Sequence, residues 1–174
     1  MSSRIYAIAA SVGAVLSERS AMDSLSYDGE TIATYVHKGR AFEEGEILHE
    51  ICHYVAATSE ERRLPEFGMV ARPSMKMMGI RDGSVDDYFK RAPTPIIERP
   101  QRHIRECATQ YLHHGVAIVL DMCPAVPKVK WEIWTRAYQH KWNTLGVDWL
   151  RSQGYDPDEL VSRMIGAAQL QMAA

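Results

Sequence analysis

Residues 44–55 read EGEILHEICHYV, and this stretch decides how the rest of the chain is read. Ile47, Leu48, Ile51, Tyr54 and Val55 recur at intervals of three and four, the period of an amphipathic helix, which predicts a helix over 43–57. On such a helix His49 and His53 stack one turn apart, about 40° around the axis, so both imidazoles can reach one ion at about 2.0–2.1 Å. Glu50 lies about 100° round from His49, outside the ligand pair and toward the position a metal leaves open. This is the H-E-x-x-H arrangement, in which the glutamate serves as general base for water on the ion. With 7 His and 13 Glu in 174 residues, chance produces the pattern in roughly 2 of 100 chains of this composition. Here it falls beside the apolar stripe of a helix, where charged groups need partners, and that favours metal binding over a solvated face.

A metal site needs a third protein ligand from elsewhere. Tyr54, Val55 and Ala56 follow His53, so the metzincin spacing with a third histidine is excluded. A second long helix is predicted over 101–122 from Ile104, Ala108, Tyr111, Leu112, Val116 and Val119, ended by Pro124 and Pro127. It carries Glu106, the expected third ligand, with Glu98 just before Pro100 as the other candidate. His103, one turn before Glu106, reads as a ligand, a partner of a ligand or a donor to substrate. His113 and His114 read as structural or solvated. Cys52 points about 100° away from His53 and reads as core.

The surroundings are consistent with one domain over 1–174. Ile5, Ile8, Ala9, Val12, Val15 and Leu16 predict a first helix over 3–22, and residues 31–36, rich in β-branched and aromatic types, predict a strand. Between 58 and 100 the chain holds Pro65, Pro73, Pro93, Pro95 and Pro100 and reads as an irregular excursion covering the site. Trp131, Trp134, Tyr138 and Trp142 give a core-facing stripe to a helix over 130–145, and Asp156-Pro157 opens a last helix. The expected fold is therefore α+β and mostly helical, a small sheet beside an HExxH helix packed on a carboxylate-bearing helix.

Hydrophobic residues make up 46% and charged residues 24%, and the net charge is −2, with no basic excess of the kind that binds nucleic acid. The apolar run 5–16 is alanine-heavy and followed by Glu18, Arg19 and Asp23, which favours a core helix over a signal peptide; it is too short to span a bilayer. Three cysteines with no CxxC pair point to a reducing compartment, and the cytoplasm is the expected location. Arg62 and Arg63 are expected to bridge to Glu60 or Glu61 at the surface.

His49-Glu50-x-x-His53 followed by a separate carboxylate helix resembles small single-domain zincins of the gluzincin kind. That likeness implies zinc held by His49, His53 and Glu106, Glu50 as base, and a protein or peptide substrate. The chain departs from it at Cys107, Thr109 and Gln110, where that kind carries acidic and phenylalanine residues. A second likeness is local. HEICHYVAATSEERRLPEFG (49–68) resembles the elongation factor P hydroxylase family, and Glu98-Arg99-Pro100-Gln101 is similar to a segment preceding that family's carboxylate helix. It implies iron(II) and oxidation of a modified lysine. Two histidines and one carboxylate serve either metal. The sequence thus supports a zinc hydrolase, an iron hydroxylase, or a metal-stabilised binding protein without turnover.

Overall fold

The computed structural model describes residues 2–21, 26–35, 40–68, 99–122 and 139–173. Its elements run α1 (Ser3–Ser11), β1 (Leu16–Ser20), β2 (Ile32–Tyr35), α2 (Glu44–Ala56), two 3-10 turns (Glu61–Arg63 and Pro65–Gly68), α3 (Arg99–Leu120), a π-helical turn (Trp142–Gly146), α4 (Val147–Ser152) and α5 (Pro157–Met172). The fold is mostly helical with one small sheet, as the sequence predicts.

The helix predicted over 3–22 needs correction. It stops at Ser11, because Val12 leaves helical geometry (φ −114°, ψ 5°) and Gly13 turns left-handed (φ +78°), the usual way a glycine closes a helix. Leu16–Ser20 then becomes a strand, pairing in parallel with β2 through Leu16↔Ile32, Ser17↔Ala33 and Ser20↔Tyr35. Alanine-rich periodicity thus marked the first nine residues and overran a strand whose length lay within its window. The strand predicted over 31–36 is β2, and its Ile32, Ala33 and Thr34 are buried.

α2 fits its prediction within a residue at each end, and its four last carbonyls are all satisfied. His53 O accepts from Ala57 N at 3.0 Å; Tyr54 O and Val55 O accept from the Arg62 guanidinium at 2.7 and 3.2 Å; Ala56 O accepts from Trp149 Nε1 at 2.7 Å. A helix end normally leaves these acceptors open, and a cation there also suits the helix dipole. Arg62 therefore does not bridge to its acidic neighbours as expected. Glu61 pairs instead with the buried Arg105 of α3, which also stacks over Trp149 at 4.7 Å. At the other end Glu43 N donates to Glu46 Oε2 at 2.8 Å, and Arg4 of α1 joins Glu44 to Leu120 O.

Ile5 and Ile8 of α1, Ile47, Leu48, Ile51 and Val55 of α2, Leu112 and Val116 of α3, and Leu160 and Met164 of α5 form one core. Cys52 lies inside it, as read from the sequence. α3 ends at Leu120, where Asp121 takes φ +52°; Pro124 and Pro127 lie outside the described residues. So does most of the segment predicted as a helix over 130–145, although its Trp142 is buried. Of the excursion over 58–100, residues 58–68 are described and form the two 3-10 turns. Asp156 caps α5 as expected, accepting from Asp158 N at 3.0 Å and Glu159 N at 3.1 Å.

Gly146 packs against the backbone of α3: a Cβ there would sit 2.6 Å from Cys107 O and 2.8 Å from Ala108 N. Gly166, in α5, faces open space. Gly146→Ala is expected to destabilise the chain by about 1–3 kcal/mol through overpacking, and Gly166→Ala to stabilise it by about 0.5–1 kcal/mol. Urea unfolding of both variants checks the pair, and an undiminished Gly146→Ala would contradict the close approach.

Candidate metal centre

α2 and α3 run antiparallel. Glu44 at the start of α2 meets Leu120 at the end of α3 through Arg4, while His53 in the last turn of α2 meets Thr109 and Glu106 earlier on α3. The polar faces of the two helices therefore oppose each other along one seam.

Three groups converge on that seam. His49 Nε2 and His53 Nε2 lie 3.1 Å apart, and Glu106 Oε2 is 3.6 Å from His53 Nε2. One ligand atom from each of His49, His53 and Glu106 falls within 4.8 Å of the others, and no other such group of three occurs among the described residues. Ligand nitrogens at about 2.0–2.1 Å from one ion stand roughly 3.3 Å apart at a tetrahedral angle and roughly 2.9 Å apart at a right angle. The observed spacing lies between, so the pair fits either geometry. The donor set of two imidazoles and a carboxylate suits zinc or iron(II).

Electrostatics favour the ligand forms. Burial, then the neighbouring His49 and His113 rings, holds His53 well below the usual histidine range; burial lowers His49 against the opposing pull of Glu106. Both rings are therefore neutral near pH 7, the state a metal requires. His53 Nδ1 lies 3.1 Å from the hydroxyl of the fully buried Thr109. With Nδ1–H donating to that hydroxyl, Nε2 carries the lone pair. Gln110 Nε2 donates to Glu106 Oε1 at 2.8 Å, leaving Oε2 for the ion. Outer partners of this sort fix the orientation of ligands.

Glu50 sits on the neighbouring face of α2, in hydrogen-bond contact with Ser26 and electrostatically coupled to Glu66 and Glu106. Burial first, then Glu66, pushes its carboxyl up to about 8. Glu66 is itself held by Ser26 Oγ at 3.0 and 3.1 Å and by Tyr27 N at 3.1 Å. Both Glu66 (φ +49°) and Phe67 (φ +55°) adopt left-handed backbone, which costs non-glycine residues about 1–3 kcal/mol each. Phe67 stacks on Tyr27 at 4.1 Å and lies 6.1 Å from the His53 ring, nearly parallel to it. The turn 65–68 and residues 26–27 thus form one wall of the centre.

The structure brings His49, His53 and Glu106 together, with Glu50 on the adjacent face of α2 within electrostatic reach of Glu106. Glu98 lies outside the described residues. His103 is exposed, its Nε2 3.9 Å from Cys107 Sγ, and is not part of the group; His114 is half-buried beside Trp142. Thr109, Gln110 and His113 escaped the sequence reading as site residues. Their signal was present: they lie three, four and seven residues after Glu106, on the same helical face. Ser26, Glu66 and Phe67 carried no such signal, because backbone geometry outside any regular element brings them to the site. No family model, curated protein or solved structure matches the chain, so the reading rests on these residues.

His49→Ala, His53→Ala and Glu106→Ala are each expected to lose stoichiometric metal by elemental analysis; retention by Glu106→Ala would move the third ligand elsewhere. In chelator-treated protein, stability is expected to fall as pH rises from about 7 to 8. Up to the folded value of about 8 the folded chain retains the Glu50 proton that an unfolded glutamate released near pH 4.5, while unfolded histidines are already largely neutral. The buried Cys52 thiol acts in the same direction. Urea unfolding of Glu50→Gln is therefore expected to show a shallower fall, and an equal slope would contradict the burial of Glu50.

Proposed function

We propose that this chain is a small metal-dependent hydrolase of zincin-like kind, acting on a protein or peptide bond, with zinc held by His49, His53 and Glu106. One observation carries the reading: the HExxH helix and the next long helix converge three ligand atoms while leaving Glu50 beside them on the adjacent face. A zinc ion held there would polarise a carbonyl and lower the pKa of a bound water toward 7.

The chain's own residues supply the remaining work. With the charge of a bound ion beside it to favour its ionised form, Glu50 would take a proton from water and pass it to the leaving amine, a role that suits a carboxylate of raised proton affinity. Ser26 holds that carboxyl in place. Thr109 and Gln110 fix His53 and Glu106, so that the ligands do not reorganise as charge develops. Phe67 and Tyr27 form an apolar wall that keeps water from one side of the centre and strengthens the electrostatic interactions there.

A second reading, an iron(II)-dependent protein hydroxylase, is favoured by a separate observation. The residues that carry the likeness to the elongation factor P hydroxylase family are the ones that build the site's frame. Arg62 closes α2, Glu61 anchors Arg105, Glu66 approaches Glu50, and Phe67 faces His53.

Two measurements decide between the readings. Purified aerobically and anaerobically, the hydrolase is expected to hold one zinc per chain and to cleave casein or a mixed fluorogenic peptide library; iron with oxygen consumption would transfer the assignment to the hydroxylase. Glu50→Gln is expected to keep its metal and lose cleavage by about 10²–10⁴-fold, as removal of a general base does. Unchanged cleavage would remove that role from Glu50, and bound metal without turnover of either kind would leave a metal-stabilised binding protein.

A further inference from the structure

His113 is only 3% exposed, and its Nε2 has no hydrogen-bond partner. Unpartnered nitrogens of this kind are uncommon inside proteins and ask for a reason. The opposite side of the ring bonds the backbone carbonyl of Gly45, one turn before His49 on α2. A carbonyl only accepts, so Nδ1 carries the His113 proton and Nε2 is left as an acceptor. The ring stands edge-on to that of His49, with centroids 5.3 Å apart and planes at 73°.

The helix register says what that acceptor is for. Thr109 on α3 serves His53 on α2, at Nδ1. Going one turn back along α2 leads to His49, and one turn on along the antiparallel α3 leads to His113. The two pairs are thus equivalent positions of one repeat: Thr109 lies 3.1 Å from His53, and the His113 ring stands beside that of His49 with its Nε2 unbonded. His49 Nε2 is turned toward His53 Nε2 at 3.1 Å, so Nδ1 is the ring nitrogen left to meet His113.

We propose that His113 is the positioning residue for His49: when the ion is held, the free Nε2 of His113 accepts from His49 Nδ1–H and so fixes the tautomer that presents His49 Nε2 to the ion. The chain of contacts would then run from the Gly45 carbonyl through His113 to His49. Burial keeps His113 from touching substrate, and it stands outside the group of ligand atoms, so it acts only through His49. The inference rests on the reading of His49 as a metal ligand.

Zinc affinity of the full chain, measured by competition with a chromophoric chelator, tests it. His113→Phe keeps a ring in the core and removes both nitrogens; it is expected to weaken zinc binding about 10–100-fold, the usual effect of losing an outer partner. His113→Gln, which restores an acceptor and a donor, is expected to recover most of that loss. Zinc affinity within twofold of wild type in a folded His113→Phe would overturn the proposal. Imidazole ¹⁵N spectra of the zinc-loaded wild type provide a readout independent of any variant. His113 is expected as the Nδ1–H tautomer and His49 with a protected Nδ1–H, and a proton on His113 Nε2 would overturn the proposal. Failure of the metal reading itself is separately visible, since His49→Ala would then bind zinc as wild type does.

Discussion

Thr109 Oγ1 and His53 Nδ1 stand 3.1 Å apart, and this contact ties the register of α2 against α3. Sliding either helix by one residue would rotate its polar groups by about 100° and carry them away from the seam. Glu106 would then leave His53, Gln110 would leave the region of the centre, and the apolar partners Ile51 and Leu112 would lose their places in the core. The candidate metal ligands and the hydrophobic packing are thus set by the same register. Neither could be adjusted without the other.

That register survives because α2 is held at both ends. Its first turn is tied through Arg4 to the end of α3, and its last four carbonyls are taken by Ala57, Arg62 and Trp149. Arg62 reaches further, donating to Tyr155 Oη at 2.8 Å just before α5, and lies 4.6 Å over the Tyr54 ring. A helix carrying two candidate ligands, His49 and His53, in its middle and last turns gains from such anchoring, since fraying would begin where His53 sits. Among the described residues, no helix is long and apolar enough to cross a membrane.

Much of this was legible in the sequence. Period-3.6 patterning located α2 and α3 within two residues, and H-E-x-x-H with the later Glu106 picked out the three side chains that converge on the seam. Helical geometry does this reliably because position along the chain fixes direction around the axis. The same rule applied further along α3 would have marked Thr109, Gln110 and His113. Three features were beyond it. The turn at Gly13 that ends α1 lay inside an apolar period that continued to Leu16. Arg62 looked like a surface charge because its partners are backbone carbonyls, which have no sequence signature. Glu66 and Phe67 reach the site through left-handed backbone that neither residue type favours.

Where local rules are broken bears on whether the centre is functional or an accident of packing. Glu66 and Phe67 occupy strained backbone; Glu66 lies close enough to raise the proton affinity of Glu50; His49, His53 and His113 are held in their neutral forms by burial. Each departure destabilises the metal-free fold, and a core of the same shape built from apolar residues would avoid all of them. They are not scattered. These lie within the seam between α2 and α3 or on the wall made by residues 26–27 and 65–68; outside them stand the buried Arg105 paired with Glu61 and the left-handed Asp121 that ends α3. Natural chains depart from local consistency chiefly where activity requires it. The strain at Glu66 persists only because Tyr27 O, Tyr27 N and Ser26 Oγ all bind that residue, and its effect is to hold a second carboxylate against Glu50. A carboxyl group so arranged beside two neutral imidazoles is poorly suited to stability and well suited to giving and taking a proton.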